Sequence, residues 1–326
     1  MRIVVVGVLA LLVAGMTTWA ALAIRYSDLP GAGVLAGLFA AGTVLAFAVL
    51  PRRRRTLAGF LLAFAIVLAW WLRIPPSNDR DWQPDVAKLA YATIDGERVT
   101  LHNIRNFEYR TETDYTPHWY DATFDLADLR SGDLIACYWM GDAIAHIFVS
   151  FGFTGDRYVA VSIETRKERG ESYSTIAGFF KQYELVYVVG DERDLIALRT
   201  NTRQPKEDVY IYRSQVPLEN TRRLFLDYVR EINELNEHPA FYNTLTTNCT
   251  TNIVYHTRVN QKPVYNWKVL LSGYAPQYAY ERGRLDTSLP FDELKRRSRV
   301  NDRVHTAGLG PDFSRRIREG LPGMGP

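Results

Sequence analysis

Three long runs of apolar residues, none containing a charge, open the chain. They span 3–24, 32–50 and 56–72, and short polar connections separate them. A helix that crosses the hydrocarbon core of a bilayer needs roughly 20 residues, with a tolerated range of about 17–25. Each run is apolar on every side rather than along one stripe, so the pattern favours three membrane-spanning helices over a buried soluble hairpin.

The charges around these runs predict an orientation. Arg2 before the first run and small residues near its end also fit a cleavable signal peptide, but the apolar core exceeds the roughly 7–15 residues usual there, which favours an uncleaved helix. Arg52–Arg55 form a basic loop between the second and third runs. Short basic loops stay in the cytoplasm. The N-terminus is therefore predicted to be cytoplasmic, and everything after Leu72 to lie on the outer side.

The remainder of the chain changes to short β-rich runs and then to helical spacing. Residues 74–81 contain Pro75-Pro76 and indicate a short stiff linker after a membrane anchor at 1–73. Strands are predicted at 99–104, 109–115, 133–140, 145–153, 158–164, 185–189 and 209–212. Helices are predicted from Leu218, from just before Cys249, at 278–284 and at 291–299. This order predicts an α+β domain at 82–326, an antiparallel sheet with helices packed on it.

Charge and cysteine content narrow the function. The formal net charge is only +3, and several of the basic residues flank the apolar runs, so no basic stripe suggests nucleic acid. Two cysteines, Cys137 and Cys249, cannot form a disulfide scaffold, although one bridge is conceivable. The sequence has no zinc-ligand spacing and no phosphate-binding loop. We therefore predict neither a metal nor a cofactor.

Cys249 is the first candidate for chemistry. Thr246, Thr247 and Asn248 offer capping side chains just before it, so the sulfur is expected at a helix N-terminus. There the helix dipole and backbone N–H groups can lower a thiol pKa to roughly 3.5–7.5, and the same N–H groups can hold an oxyanion. The alternative is that Cys249 is a small residue of the hydrophobic core without a chemical role. For Cys137, inside an apolar strand, the core interpretation is favoured.

A thiol nucleophile needs a base within hydrogen-bond reach. His146, at the start of an apolar strand, can supply one, although strand histidines are more often structural. Glu164 lies on the neighbouring predicted strand and could orient the imidazole. The alternative for Glu164 is an ion pair with Arg166 or Lys167. His256 follows Cys249 by two helical turns, too far along the helix to touch it.

Several ordered segments resemble the Lnb-type periplasmic domain, a family linked to bacterial lipoprotein N-acylation. They are NDRDWQPDV (78–86), HNIRNFEYRTETDYTP (102–117), AHIFVSFGF (145–153), SIETRKERGESYS (162–174), YELVYVVGDERDLIALRTN (183–201), NCTTNI (248–253) and LLSGYAPQYAYERG (270–283). The order of His146, Glu164 and Cys249 is also similar to permuted papain-like enzymes, in which the histidine strand precedes the Asn-Cys helix.

The resemblance implies a function for these residues. The thiol, histidine and acidic positions of the family would fall on Cys249, His146 and Glu164. It implies an acyltransferase in the bacterial inner membrane, with a periplasmic domain, acting through a cysteine thioester on phospholipid and lipoprotein substrates. In the named acyltransferase of the family the membrane segments follow the domain, whereas here they precede it. This difference in the order of the segments affects the expected acyl acceptor more than the expected thiol chemistry.

Two other functions remain compatible with the residues. The same dyad could hydrolyse peptide or amide bonds of the cell wall, with water replacing the amine. The domain could also be a non-enzymatic binder of an envelope partner. An aromatic face would serve that role, and its candidates are Tyr115, Trp119, Tyr120, Tyr138 and Trp139.

Overall fold

The computed structural model describes residues 2–260 and 266–324. Its first elements are three long helices, α1 (Arg2–Arg25), α2 (Ala32–Val49) and α3 (Arg53–Leu72). All three are long and apolar enough to cross a membrane, and they pack on one another while leaving many Val and Leu side chains exposed. The three predicted membrane helices are confirmed to within a few residues at each end.

After these helices, the described residues form ten strands. They are β1 (Tyr91–Asp95), β2 (Arg98–Arg105), β3 (Glu108–Tyr109), β4 (Tyr115–Thr116), β5 (Trp119–Asp125), β6 (Leu129–Met140), β7 (Ile144–Phe153), β8 (Arg157–Arg166), β9 (Glu184–Gly190) and β10 (Asp208–Arg213). The main sheet has the order β1-β2-β9-β8-β7-β6-β10, and β5 pairs with β2. All its pairings are antiparallel except a single parallel bridge between β2 and β9.

The strand predictions fail in one place. A continuous strand at 109–115 is wrong, because Arg110 and Thr111 both donate backbone hydrogen bonds to the carbonyl of Asp114 and form a turn there. Only the short strands β3 and β4 remain on either side of the turn. The structure also adds β1 and β5, which the sequence pattern did not predict. The other six predicted strands are present.

Helices cover both faces of the sheet. They are α4 (Glu192–Ala197), α5 (Leu218–Glu237), α6 (Cys249–His256), α7 (Trp267–Leu270), α8 (Ala275–Glu281), α9 (Phe291–Arg297), α10 (Asn301–Ala307) and α11 (Phe313–Arg316). One buried cluster joins α5, α6, α8 and α9 to the first face, and a second joins α4, α10 and α11 to the other. The α+β prediction is confirmed. Helices α7, α10 and α11 were not predicted, and α8 begins three residues earlier than expected.

The register between β7 and β8 is incomplete, and this positions the site. The two strands pair from Val149 with Val161 to Phe153 with Arg157. Beyond Val149, β7 continues to Ile144 paired with β6, while β8 continues to Arg166 paired with β9. Within the described residues no ladder joins the two strands in this stretch. The result is an opening between them, which we call the β7–β8 cleft.

Candidate active site

Cys249 is the first residue of α6, as the sequence predicted. The Asn248 side chain accepts a hydrogen bond from the Thr251 backbone N–H at 2.9 Å, and the Thr251 hydroxyl accepts one from the Asn248 N–H at 2.9 Å. This reciprocal capping box satisfies two N–H groups that a helix start leaves without an intrahelical partner. The local residues Asn248 and Thr251 thus fix where the helix begins and where the sulfur lies.

The sulfur lies in a buried site beside β7. The backbone N–H groups of Ile147 and Thr250 interact with Sγ, and the Thr250 hydroxyl lies 3.8 Å away. Burial raises the pKa of the Cys249 thiol, and these hydrogen-bonding groups lower it only in part. The expectation of a lowered thiol pKa is therefore wrong for this structure. The physical reason is that burial removes water from the thiolate and disfavours the charged form.

His146 and Glu164 are brought together across the β7–β8 cleft through a third side chain. The Ser162 hydroxyl lies 2.6 Å from Nε2 of His146 and 2.7 Å from Oε1 of Glu164. The direct distance between Nε2 and Oε1 is 3.7 Å. Burial, followed by the positive charge of Arg199, lowers the pKa of His146 to about 4, so the imidazole is neutral at neutral pH.

Glu164 is held as a carboxylate by a buried arginine. Nη2 of Arg199 lies 3.0 Å from Oε1 of Glu164. Burial acts to raise the pKa of Glu164, but Arg199 and His146 outweigh it, and the pKa lies well below its usual range. The alternative that Glu164 pairs with Arg166 or Lys167 is wrong. Arg166 instead donates to the carbonyl of Val86 at 3.0 Å.

These contacts fix the tautomer of the imidazole. An ionised carboxylate can only accept hydrogen bonds, so the single Ser162 hydroxyl hydrogen is donated to Glu164. The Ser162 oxygen must then accept from His146, which places the ring proton on Nε2. Nδ1 keeps its lone pair and is the nitrogen able to take a proton from a thiol.

Cys249 approaches the Glu164–Ser162–His146 relay through the backbone of the residue that follows the histidine. Its sulfur interacts with the N–H of Ile147, the residue after His146, and the charge of Glu164 is close enough to act on the thiol pKa. In the part of the chain that the structure describes, no hydrogen bond joins Sγ directly to the imidazole. The structure thus brings all three predicted residues to the β7–β8 cleft, where Ser162 links His146 to Glu164.

Comparison with known proteins bears on the same stretch. The family model of the Lnb N-terminal periplasmic domain matches residues 115–276, about half of the chain, and this range contains His146, Glu164 and Cys249. The domain belongs to this family. The resemblance suggested for 78–114 lies outside the matched range. No curated protein and no solved structure matches the chain.

Two polar residues of the Lnb-type site were missed at the sequence level. Ser162 precedes Glu164 by two residues on β8, so strand alternation alone could have placed both side chains on one face. Arg199 lies in the helical turn 198–202 that follows α4 and is only 1% exposed. Nothing local in the sequence relates it to Glu164.

The other cysteine, Cys137, and the histidine of α6, His256, both lie in the core of the domain. Cys137 lies opposite His146 in the β6–β7 register, is fully buried, and is a free thiol whose pKa burial raises above its usual range. His256 lies between Asp227, 2.8 Å from Nδ1, and the Tyr187 hydroxyl, 2.7 Å from Nε2. Both ring nitrogens of His256 are thereby engaged in contacts that pack α6 on the core.

The Lnb-type domain contacts the C-terminal ends of α1 and α3 through the turn of the β8–β9 connection that contains Phe180 and Lys181. The ring centroid of Phe180 lies 6.1 Å from that of Trp19 and 6.0 Å from that of Tyr26. The ammonium of Lys181 donates to the Trp71 carbonyl at 3.0 Å, at the end of α3. Cations favour helix C-termini, where carbonyls lack intrahelical partners.

The segment leading to Cys249 packs on that same turn. The Thr244 hydroxyl donates to the Thr175 carbonyl at 2.8 Å, and the Thr244 N–H donates to the Gly178 carbonyl at 3.2 Å. Gly178 is fixed by this contact, since a Cβ there would lie 2.3 Å from the Thr244 hydroxyl. A short path of packed backbone therefore joins the membrane anchor to the start of α6.

Among residues 2–260 and 266–324, no group of three or more His, Cys, Asp or Glu side chains could hold a metal ion.

Proposed function

We propose that this membrane-anchored Lnb-type domain is a thiol acyltransferase. It takes an acyl group from a membrane phospholipid onto Cys249 and passes it to the amino group of a lipoprotein N-terminal cysteine. The observation that carries the proposal is the Glu164–Ser162–His146 relay, which leaves Nδ1 of the imidazole as a base at the cleft where the sulfur lies.

The first half of the reaction forms a thioester. Nδ1 of His146 takes the thiol proton as Sγ of Cys249 attacks the carbonyl carbon of the phospholipid ester. We assign the oxyanion donors to the backbone N–H groups that now interact with the sulfur, those of Ile147 and Thr250. The ester C–O bond breaks, and the lysophospholipid alcohol leaves with the proton from His146.

The second half returns the enzyme to its starting state. The neutral amine attacks the thioester carbonyl and loses a proton to Nδ1 of His146. The C–S bond breaks, the amide product forms, and the proton returns from the imidazole to the sulfur. Because burial holds the thiol pKa high and the imidazole pKa low, the resting pair is neutral, and His146 acts as a general base during each attack.

The membrane location supports a lipid donor. The basic loop Arg52–Arg55 favours a cytoplasmic position for that side, which would place the Lnb-type domain at the periplasmic face of a bacterial inner membrane. The Phe180 turn holds the domain against the outer ends of α1 and α3. Holding an enzyme at its substrate surface raises the effective concentration of lipid.

The test is the acylation state of lipoprotein N-termini. In a strain that lacks this protein and has no redundant enzyme, mass spectrometry should show lipoproteins without the N-linked acyl group. The wild-type protein and Cys137→Ser should restore it, and Cys249→Ser and Cys249→Ala should not. Restoration by Cys249→Ala would contradict the thiol mechanism and favour a binding role. Free fatty acid or cut muropeptides released by the purified protein would instead indicate a hydrolase.

A further inference from the structure

An apolar cavity lies directly behind the proposed nucleophile. Its volume is about 190 Å³, and it lies between β7 and the helices α5, α6, α7 and α8. Its wall is formed largely by aliphatic side chains from all five elements, namely Ile147, Val149, Leu224, Ile253, Val269 and Ala275. No part of the thioester reaction described above requires space on this side of the sulfur.

The cavity begins at the two residues that contact the sulfur. Ile147 and Thr250 both line it, and both interact with Sγ of Cys249 through their backbone N–H groups. A group bonded to the sulfur would therefore lie at one end of this space. Cys249 is not itself a lining residue, so a chain bonded to the sulfur must pass between these two neighbours to enter the cavity.

The cavity extends along the strand away from the thiol. Its lining includes Ile147, Val149 and Phe151, which alternate onto the same face of β7. Four residues of strand at about 3.3 Å each give a length of roughly 13 Å. At the far end lie Gly132, the strand partner of Phe151, and Ser214. The space is thus a channel whose middle is aliphatic.

We infer that this cavity binds the hydrocarbon chain of the acyl group carried on Cys249. The inference rests on the proposed function and deepens it by assigning a binding site to the acyl chain of the donor. An alkyl chain that enters an aliphatic channel leaves water without any polar group being desolvated. A muropeptide would bury amide and hydroxyl groups beside the aliphatic side chains of Val149, Leu224 and Ile253, at a desolvation cost that an alkyl chain does not have.

The test narrows the channel and measures which chain lengths still fit. Leu224 and Leu226 are partly buried leucines on α5 that pack against the same cluster, but only Leu224 lines the cavity. Leu226→Trp is therefore a matched control for Leu224→Trp. The full-length proteins in nanodiscs are incubated with thiol-reactive acyl esters of four to sixteen carbons, and acyl-enzyme is measured by intact mass spectrometry.

The expected result is a loss confined to long chains. Leu224→Trp should lower the rate with the sixteen-carbon ester by about tenfold or more, since pockets discriminate by tens of fold on small size differences. Its rate with the four-carbon ester, and both rates of Leu226→Trp, should stay near wild type. Ala279→Phe, which fills the cavity from the half-buried face of α8, is the second variant should Leu224→Trp fail to fold.

Two outcomes separate this inference from the proposed function. If the wild type forms an acyl-enzyme and both filled variants accept sixteen carbons as it does, the channel assignment is overturned and the thiol mechanism stands. If no ester acylates Cys249, the proposed function fails. The channel then stands only if a fluorescent fatty acid binds Cys249→Ala and Leu224→Trp abolishes that binding, and it falls if no binding is seen.

Discussion

At the scale of single residues, Ser162 decides which nitrogen of His146 can act as a base. Its one hydroxyl hydrogen is directed at Glu164 over 2.7 Å, because Arg199 keeps that carboxylate ionised. A carboxylate that touched the imidazole directly would fix the same tautomer. Here the serine transmits the constraint across a wider gap of 3.7 Å between ring and carboxylate.

Removing the charge of Glu164 should reverse that constraint. In Glu164→Gln the amide can donate to Ser162, whose hydroxyl can then donate to Nε2 and favour the Nδ1–H tautomer. That ring cannot accept the thiol proton, so we expect kcat to fall on the order of 10²–10⁴-fold, the contribution typical of a general base. Acyl-enzyme formation with a soluble ester measures this.

Glu207→Gln is the matched control for that experiment. Glu207 also approaches Arg199, with Oε2 3.7 Å from Nε, and pairs with Arg203 at 2.5 Å, but it has no hydrogen bond to Ser162. Its variant should keep most of the activity. Equal losses in both variants would mean that the cluster matters for stability rather than for the tautomer.

The dependence of kcat/KM on pH should reflect the pKa of the His146 imidazole and not that of the Cys249 thiol. Burial lowers the pKa of His146 to about 4, and burial raises that of Cys249. We therefore expect kcat/KM to fall only as pH drops through about 4 and to be level between about pH 5 and pH 8. A rate that rises tenfold per pH unit near neutrality would show that a free thiolate is the reactive form. Circular dichroism in the same buffers distinguishes titration from unfolding.

At the scale of elements, the site depends on α6 starting opposite the unpaired stretch of β7. The capping box of Asn248 and Thr251 holds the first turn, and the Ile147 N–H meets the sulfur where β8 no longer pairs with β7. A continuous β7–β8 ladder would leave no opening for the sulfur there. The break in register is thus as important to the site as the residues beside it.

Loss of the helix cap should affect both stability and activity. Asn248→Ala removes the acceptor for the Thr251 N–H, which we expect to cost about 1 kcal/mol, within a range of about 0.5–2. The frayed turn should also displace the sulfur and slow acyl-enzyme formation. Asn266→Ala removes the cap of α7, which accepts from Lys268 at 3.0 Å, and serves as the control. Thermal melts and acylation rates should fall together only in the Asn248 variant.

At the scale of the whole molecule, one turn contacts both the membrane helices and the segment that leads to Cys249. The turn that holds Phe180 and Lys181 against α1 and α3 also exposes Ile176 by 53% and Phe179 by 39%. Trp19 and Trp71 pack edge to face near the C-terminal ends of α1 and α3, and aromatic residues at helix ends favour the membrane interface. We therefore expect the two exposed side chains to lie at the level of the lipid headgroups.

These side chains should matter only when the acyl donor is in a bilayer. In Ile176→Asp combined with Phe179→Asp, we expect slower acylation by phospholipid vesicles because two charges must enter the interface. Acylation by a soluble short-chain ester should be unchanged. Leu309→Asp, at a site 58% exposed and beyond α10, is the control and should affect neither donor. Equal loss with both donors would indicate damage to the fold instead.

The sequence by itself determined the features that depend on neighbouring residues. The three membrane helices follow from uninterrupted apolar runs, since lipid offers no partner for a polar group. The start of α6 follows from Asn248, because a cap acts within one turn. Most strands of the sheet were also predicted, because burial of one or both faces imposes a pattern on each strand separately.

Only the tertiary structure decided how those parts act together. The turn within 109–115 depends on backbone hydrogen bonds that composition does not show, and the Glu164–Arg199 pair joins residues 35 positions apart. The thiol pKa rises instead of falling because packing buries the sulfur, a quantity set by the whole domain. Contacts between distant segments and removal of water from charged groups are properties of the folded chain, and no local pattern encodes them.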